Sequence, residues 1–431
     1  MKLLKISVAL LMVACMLLSF CSAFAQEDKP QKITFQYIGG TVPEADEAVK
    51  KAIEKYTADT GVEVETIYVN WGNAYQMFVS SMMAGNPPDI VELGGVWPLE
   101  FNDSGAFAEI DQYVSADILD NFFENGFDVL TGSDGKRYGM PWDGGTWGLY
   151  YRKDLFEEAG LDPEQPPKNW DELLEYAKKL TKEDGSQYGL MIPCGGWEPD
   201  SFFNQFMWQA GNEVCVKQED GTYIGNFDTP EGLEAATFYY DLVNTYKVMP
   251  VEVTGMMWEA VKNAFTDGKC AMMYCGMWAV NNIRNGNPEL DGKWGTAYAP
   301  AGPGGQVCQG YPNSMHITAT SKNKEAAGKL LEYIYGQNGD EPSVYKQLMV
   351  ILGVHSWEKD FIETMEWARD PLILPLAEQA AWGHNKPAFV RYEQFRKMFY
   401  CPAIQSLLMD QITPEQFVKD MDAAIQKLQT F

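Results

Sequence analysis

The sequence predicts an α/β protein built in two domains, on three observations. Residues 32–38 alternate like a strand through Ile33, Phe35 and Tyr37, residues 43–60 put Ala48, Ile53 and Tyr56 on one helical face, and residues 62–69 alternate again. Strand, helix and strand with short joints make a parallel crossover unit. About 406 of the 431 residues remain once an N-terminal leader is set aside, more than one core usually organises. Residues 138–161 read as an extended run broken at Pro141, a Gly144-Gly145 pivot beside Trp142 and Asp143, and a strand over 146–151. Glycine reaches backbone angles closed to other residues. The pair therefore suits a crossover between two lobes, with a small ligand in the cleft there. An ordinary loop carrying a structural tryptophan is the competing reading.

The other elements follow in order. A helix over 73–84 stops at Gly85-Asn86-Pro87-Pro88, and 89–93 is a third buried strand before Gly94-Gly95. Ligands of open sheets meet the loops at the carboxyl ends of the strands, and those loops hold Gly40, Trp71, Glu92 and Trp97. A helix over 152–159 ends at Gly160, and Pro166-Pro167 introduces another over 170–180. A strand over 188–192 leads through the loop Gly195-Gly196-Trp197-Glu198-Pro199 to an aromatic-rich helix over 200–210. Thr229-Pro230-Glu231 supplies an N-cap and a proline at the first helical position, and Thr413-Pro414-Glu415 does the same for the last helix. Between them lie a helix over 258–267, a strand over 271–274, the turn Gly276-Met277-Trp278, a strand over 294–298, an extended segment at 316–319 and a helix over 323–335. The run Pro300-Ala301-Gly302-Pro303-Gly304-Gly305 is a candidate second crossing, and the loop 336–341 a candidate third.

Residues 1–25 read as a cleaved export signal: Lys2 and Lys5, an apolar stretch over 6–20, then Ala23-Phe24-Ala25 before Gln26. A lipid-anchored form is the second reading, because neither Cys15 nor Cys21 follows a good lipobox. No later run is long and apolar enough to span a bilayer. Loss of Lys2 and Lys5 takes the formal charge from −27 to −29. Such a chain is repelled by phosphate backbones and anionic lipid, which excludes nucleic acid as a partner. Six cysteines remain (Cys194, Cys215, Cys270, Cys275, Cys308, Cys401), and buried free thiols are expected. Cys270 and Cys275 flank a strand that would hold them roughly 16 Å apart, too far to bridge.

Catalytic signatures are missing. His316, His355 and His384 form no HExxH pair, and the chain has no CxxC, no G-x-S-x-G elbow and no phosphate loop. No metal or cofactor is expected, and the protein reads as a non-enzyme. Tryptophan stands out instead. Of 13, Trp71, Trp97, Trp142, Trp147, Trp197, Trp278 and Trp382 lie in glycine- or proline-rich loops. Indole faces stack on the C–H faces of sugar rings while carboxylates and amides meet the hydroxyls; the same set could cage a quaternary ammonium. Asp143 is a ligand contact or a turn-forming aspartate, Glu92 a paired or a ligand-facing acid, and His384 a loop hydrogen-bonder or a ligand contact.

Eight segments in a fixed order resemble the family 1 extracellular solute-binding proteins, the sugar receptors of ATP-driven (ABC) importers, across the mature chain. They are Thr60-Gly61-Val62-Glu63-Val64, Ala84-Gly85-Asn86-Pro87-Pro88-Asp89-Ile90-Val91, Gly105-Ala106-Phe107-Ala108-Glu109-Ile110-Asp111, Tyr150-Tyr151-Arg152-Lys153-Asp154-Leu155-Phe156-Glu157-Glu158-Ala159-Gly160, Trp170-Asp171-Glu172-Leu173, Phe265-Thr266-Asp267-Gly268-Lys269-Cys270-Ala271-Met272, Gly276-Met277-Trp278 and Ser321-Lys322-Asn323-Lys324-Glu325-Ala326-Ala327. Arg152 departs from the Asn usual there. The resemblance implies a two-lobed periplasmic binding protein fold, each lobe a mainly parallel sheet flanked by helices, closing on a ligand at the hinge. The expected lobes are 26–143 with 299–336, and 144–298 with 337–431. Trp278 matches a position that stacks on the sugar. Glu92, Trp97, Trp142, Asp143, Trp197, Glu198 and Tyr311 lie in loops matching the cleft walls, and Gly40, Trp71, Trp147 and His384 complete the candidate site. The expected function is a monomeric, exported sugar or oligosaccharide receptor that delivers its ligand to an ABC permease. Receptors for a polyamine or betaine, and a secreted carbohydrate-active enzyme, are the alternatives.

Overall fold

The computed structural model describes residues 32–429 except 41, 219–220, 338–340, 388 and 390. The export signal over 1–25, its cleavage and its lipidation lie outside the described residues, as do residues 338–340 of the third candidate crossing.

One mixed sheet runs through the molecule. Its strands are β1 (Lys32–Ile38), β2 (Glu63–Val69), β3 (Ile90–Gly94), β4 (Met140–Arg152), β5 (Tyr188–Met191), β8 (Cys270–Gly276), β9 (Trp294–Ala297), β10 (Cys308–Ile317), β11 (His355–Ser356) and β12 (Gly383–His384). β6 (Cys215–Lys217) and β7 (Tyr223–Gly225) form a separate hairpin. The path is β2-β1-β3-β10-β4-β8-β5. Pairing is parallel for β1 with β2, β1 with β3 and β5 with β8, and antiparallel for β10 with β3, β10 with β4 and β4 with β8. The parallel unit read from the sequence thus lies on one flank, a second parallel pair, β5 with β8, lies on the other, and the centre between them is antiparallel.

That centre corrects one expectation. The 138–161 stretch is not two strands joined at a glycine pivot. β4 is one strand of 13 residues, all buried, and at about 3.3 Å per residue it spans roughly 43 Å. Its first half pairs with β10 as far as Thr146, and its second half pairs with β8 and β9 from Trp147 onward. A single strand therefore belongs to both lobes. Neither Gly144 nor Gly145 takes a positive φ. Gly144 answers to space instead: a Cβ there would come within 2.8 Å of the Trp357 indole, whose Nε1 donates to Asp143 O at 3.2 Å.

The expected segment over 316–319 is only the end of β10. The strand CQGYPNSMHI does not alternate, and its glycine and proline argue against a strand. The register shifts between Pro312 and Ser314, a bulge that accommodates the proline.

Local signals otherwise hold. Helix Pro43–Thr60 buries Ala45, Val49, Ile53 and Tyr56 and ends at Gly61 with φ 72°. Thr229 Oγ1 accepts from Gly232 N at 2.9 Å, and Thr413 Oγ1 from Gln416 N at 3.2 Å, capping helices Pro230–Asn244 and Pro414–Gln429. Arg152 pairs with Asp154 at 2.7 Å and donates to Phe265 O at 2.8 Å, tying the end of β4 to helix Trp258–Thr266. The six cysteines are free; Cys215 alone is not fully buried. No helix among the described residues is long and apolar enough to cross a membrane.

Candidate functional site

The middle of the sheet sets the floor of the site. Glu92 lies on β3 opposite Met315, and its Oε2 accepts from Ile38 N at 2.7 Å at the end of β1. Asp143 lies on β4, where Asn313 Nδ2 of β10 donates to its Oδ1. Asn313 Oδ1 in turn accepts from Gly95 N at 3.2 Å. Three neighbouring strands thus bring two carboxyl groups and a carboxamide to one buried place.

Above this floor is a cavity of about 210 Å³. One water needs roughly 10–15 Å³ by the same measure, so the space suits a small organic ligand rather than isolated solvent. Trp71, Trp97, Trp142, Trp147, Trp197, Trp258 and Trp278 line it, with Tyr37 and Tyr392. Trp278 stands edge-on to Trp147 (5.6 Å, 90°) and to Trp258 (6.0 Å, 86°). Gly276 makes that placement possible, since a Cβ there would lie 1.9 Å from the folded-back Trp278 ring. Trp142 is 1% exposed and packs on Tyr335 and Tyr345, so it closes the floor from behind.

The two walls differ in charge. Burial pushes the Glu92 carboxyl well above the usual carboxylate range, and the nearby Asp143 charge adds to it. Burial also pushes Asp143 up to about 7, against the stabilising Asn313 hydrogen bond. Neither acid has a cation beside it among the contacts of the described residues. Opposite lie Lys386, Tyr392, Glu393, Arg396 and Lys397. Arg396 Nε and Nη2 grip Glu393 at 3.0 and 2.7 Å, and its Nη1 donates to Trp197 O at 2.6 Å. Asp200 Oδ2 accepts from Lys386 Nζ and from Tyr392 Oη, both at 2.8 Å. Burial opposes ionisation of Glu393, but the Arg396 charge outweighs it and holds that carboxyl below its ordinary value.

Of the sequence-predicted residues, Trp71, Glu92, Trp97, Trp142, Asp143, Trp147, Trp197 and Trp278 line the cavity. Gly40, Glu198 and His384 do not. Gly40 is an exposed loop residue with φ 88° whose N–H donates to Asp46 Oδ2 at 3.0 Å. Glu198 accepts from Trp258 N at 2.8 Å and so caps a helix, and burial raises its carboxyl to about 8. His384 stacks on Trp208 at 4.4 Å and meets Glu213 Oε1 at 3.0 Å. The Tyr311 side chain lies outside the described residues. The sequence reading missed Tyr37, Asn313, Trp258 and the whole 386–397 wall. The i,i+3 pairing of Glu393 with Arg396 was the one available signal for that wall. Among the described residues no group of three His, Cys, Asp or Glu is placed to hold a metal ion.

Two α/β lobes sharing long central strands over an aromatic, acid-floored cavity define a ligand-binding protein of the two-lobed, maltose-binding-protein-like class. The bacterial extracellular solute-binding protein profile matches residues 39–340, and the chain belongs to that family. It is 31% identical over 381 residues to a putative binding protein of Brucella abortus (strain 2308), covering 88% of each chain. A solute-binding protein of Thermotoga lettingae TMO bound with alpha-D-tagatose superposes with TM-score 0.81 at 27% identity, over 93% of this chain and 100% of that one. Maltose-bound MalE3 of T. maritima gives 0.80 at 25%, over 92% and 99%.

Proposed function

We propose that the chain is an exported receptor that captures a sugar or short oligosaccharide in this cavity and passes it unaltered to an ABC permease. The observation that carries the reading is the pairing of indole walls with a carboxyl–carboxamide floor, Glu92, Asp143 and Asn313. Indoles match the apolar faces of a pyranose or furanose ring, and the floor accepts and donates to its hydroxyls. Trp71, Trp97, Trp142, Trp147, Trp197 and Trp278 are the proposed aromatic contacts. The sugars named for the relatives, tagatose and maltose, support the ligand class. A cationic ligand fits less well: burial disfavours the charged forms of Glu92 and Asp143, and Lys386, Arg396 and Lys397 also line the cavity. The proposed lobes are 26–143 with 299–336 and 144–298 with 337–431; the change of β4 partners between Thr146 and Trp147 supports the first boundary to within a few residues. Location outside the cytoplasm, cleavage before Gln26 and a monomeric state complete the proposal.

Thermal-shift assays with tagatose, maltose and longer maltodextrins test it, with betaine and spermidine as counter-ligands. A bound sugar at a hundred times its Kd stabilises the fold by about 2.7 kcal/mol and raises Tm. A response to the cations alone, or sugar cleavage products in the incubation, contradicts the reading.

A further inference from the structure

Trp97 and Glu393 meet across the cleft, 296 residues apart in sequence, with the indole Nε1 donating to Glu393 Oε1 at 2.7 Å. Trp97 follows β3 in one lobe, and Glu393 lies on helix Tyr392–Phe395, packed in the other. The acceptor is fixed before the indole reaches it. Arg396 holds both Glu393 oxygens and is itself anchored by Trp197 O and, at 3.7 Å, by Asp200. Glu393 and Arg396 are 5% and 4% exposed. A second contact crosses beside the first: Lys397 Nζ sits 5.3 Å from the Tyr75 ring centroid and 3.5 Å from Glu393 Oε2. Tyr75 packs edge-on to Trp97 at 5.4 Å. Both contacts are made at the cavity's edge, by Trp97, Glu393 and Lys397 of its lining.

We propose that Glu393 is a positioning residue that draws Trp97 across the cleft, so that protein contacts alone hold the closed, cavity-forming arrangement. The hydrogen bond at the Nε1 edge fixes the plane of a ring that lines the cavity. A ligand then needs less differential affinity for the closed state, because that state is already populated. The inference rests on the two-lobed receptor reading but not on the identity of the sugar.

Small-angle X-ray scattering on protein stripped of ligand by unfolding and refolding tests it without any sugar present, so its failure and that of the sugar reading are separable. A compact chain of about 400 residues has a radius of gyration of roughly 21 Å. Ligand-free wild type is expected near the value calculated from this closed structure. Trp97→Phe keeps the ring and removes the donor, and it is expected to raise the radius measurably, as is Glu393→Leu. Glu393→Gln retains an acceptor and is expected to stay near wild type. Lys397→Met, at a side chain that is 44% exposed and therefore tolerant of change, is expected to give a smaller rise and serves if Glu393→Leu fails to fold. Trp97→Phe scattering that superimposes on wild type, or a ligand-free wild type already expanded, overturns the proposal.

Discussion

The floor and the far wall of the cavity both hold buried acids, yet they handle them in opposite ways. Glu393 and Asp200 on the wall are matched by Arg396 and Lys386 with short, directed contacts. Among the described residues, Glu92 and Asp143 on the floor are met by a backbone N–H and a carboxamide rather than by a cation. A matched buried pair is structural, and losing one partner strands the other. An acid met only by neutral donors is strained in its charged form and open to a ligand's hydroxyls. The contrast separates what holds the site from what the site binds.

The largest expected effect lies on the wall. Arg396→Met removes the bidentate partner of buried Glu393, leaving it Lys397 at 3.5 Å while Asp200 keeps Lys386 at 2.8 Å, and is expected to lower stability by about 3 kcal/mol in urea unfolding. A loss under ~1 kcal/mol would show that the network is not the structural half. Next comes the ligand face. Trp278→Ala is expected to weaken sugar binding by about 2 kcal/mol or more, as buried aromatic anchors do, while far-UV circular dichroism stays unchanged; calorimetry reads both the affinity and its absence.

The floor makes a pH prediction. The folded-state pKa of Asp143 is raised to about 7 from an ordinary value of 3.8, so the native state binds the extra proton. Its contribution is therefore fully present below about pH 4 and is lost as pH rises through 7. Asp143→Asn is expected to flatten that part of the stability profile and to gain on the order of 1–3 kcal/mol over wild type at pH 8. Parallel melting curves at pH 5 and pH 8 check the sign. The smallest effect belongs outside the cavity: His384→Ala breaks a half-exposed contact with Glu213, and a stability change under ~1 kcal/mol with unaltered sugar affinity is expected.

Where local chemistry set the structure, the sequence was legible. The Pro43–Thr60 and Trp170–Leu180 helices begin and end at the expected residues because apolar spacing agrees with one end signal in each, the Gly61 stop in the first and the Asn169 cap in the second. Trp71 and Trp278 lie against glycines that make room for their indoles, Gly94 and Gly276, and Trp97 was marked by the Gly94-Gly95 pair before it. Long-range pairing hid the rest. β4 looked broken at Pro141 and Gly144 because its pairing with β10, some 170 residues away, is invisible locally. Tyr392, Glu393, Arg396 and Lys397 sit in a helix of four residues, Tyr392–Phe395, that runs into the π-helical turn Arg396–Tyr400, too short for an apolar period to mark it, so nothing in the sequence placed that segment at the cavity. Trp382 looked like its loop neighbours, but it is 41% exposed, packs edge-on to Tyr298 at 5.2 Å and does not line the cavity.

Native mass spectrometry of the protein purified without sugar added after lysis asks the central question directly. The expected result is a fraction carrying one intact saccharide, diminished in Trp278→Ala. A bound cationic metabolite in its place, or a wild-type protein that stays bare after incubation with tagatose, maltose and maltodextrins, would contradict the account.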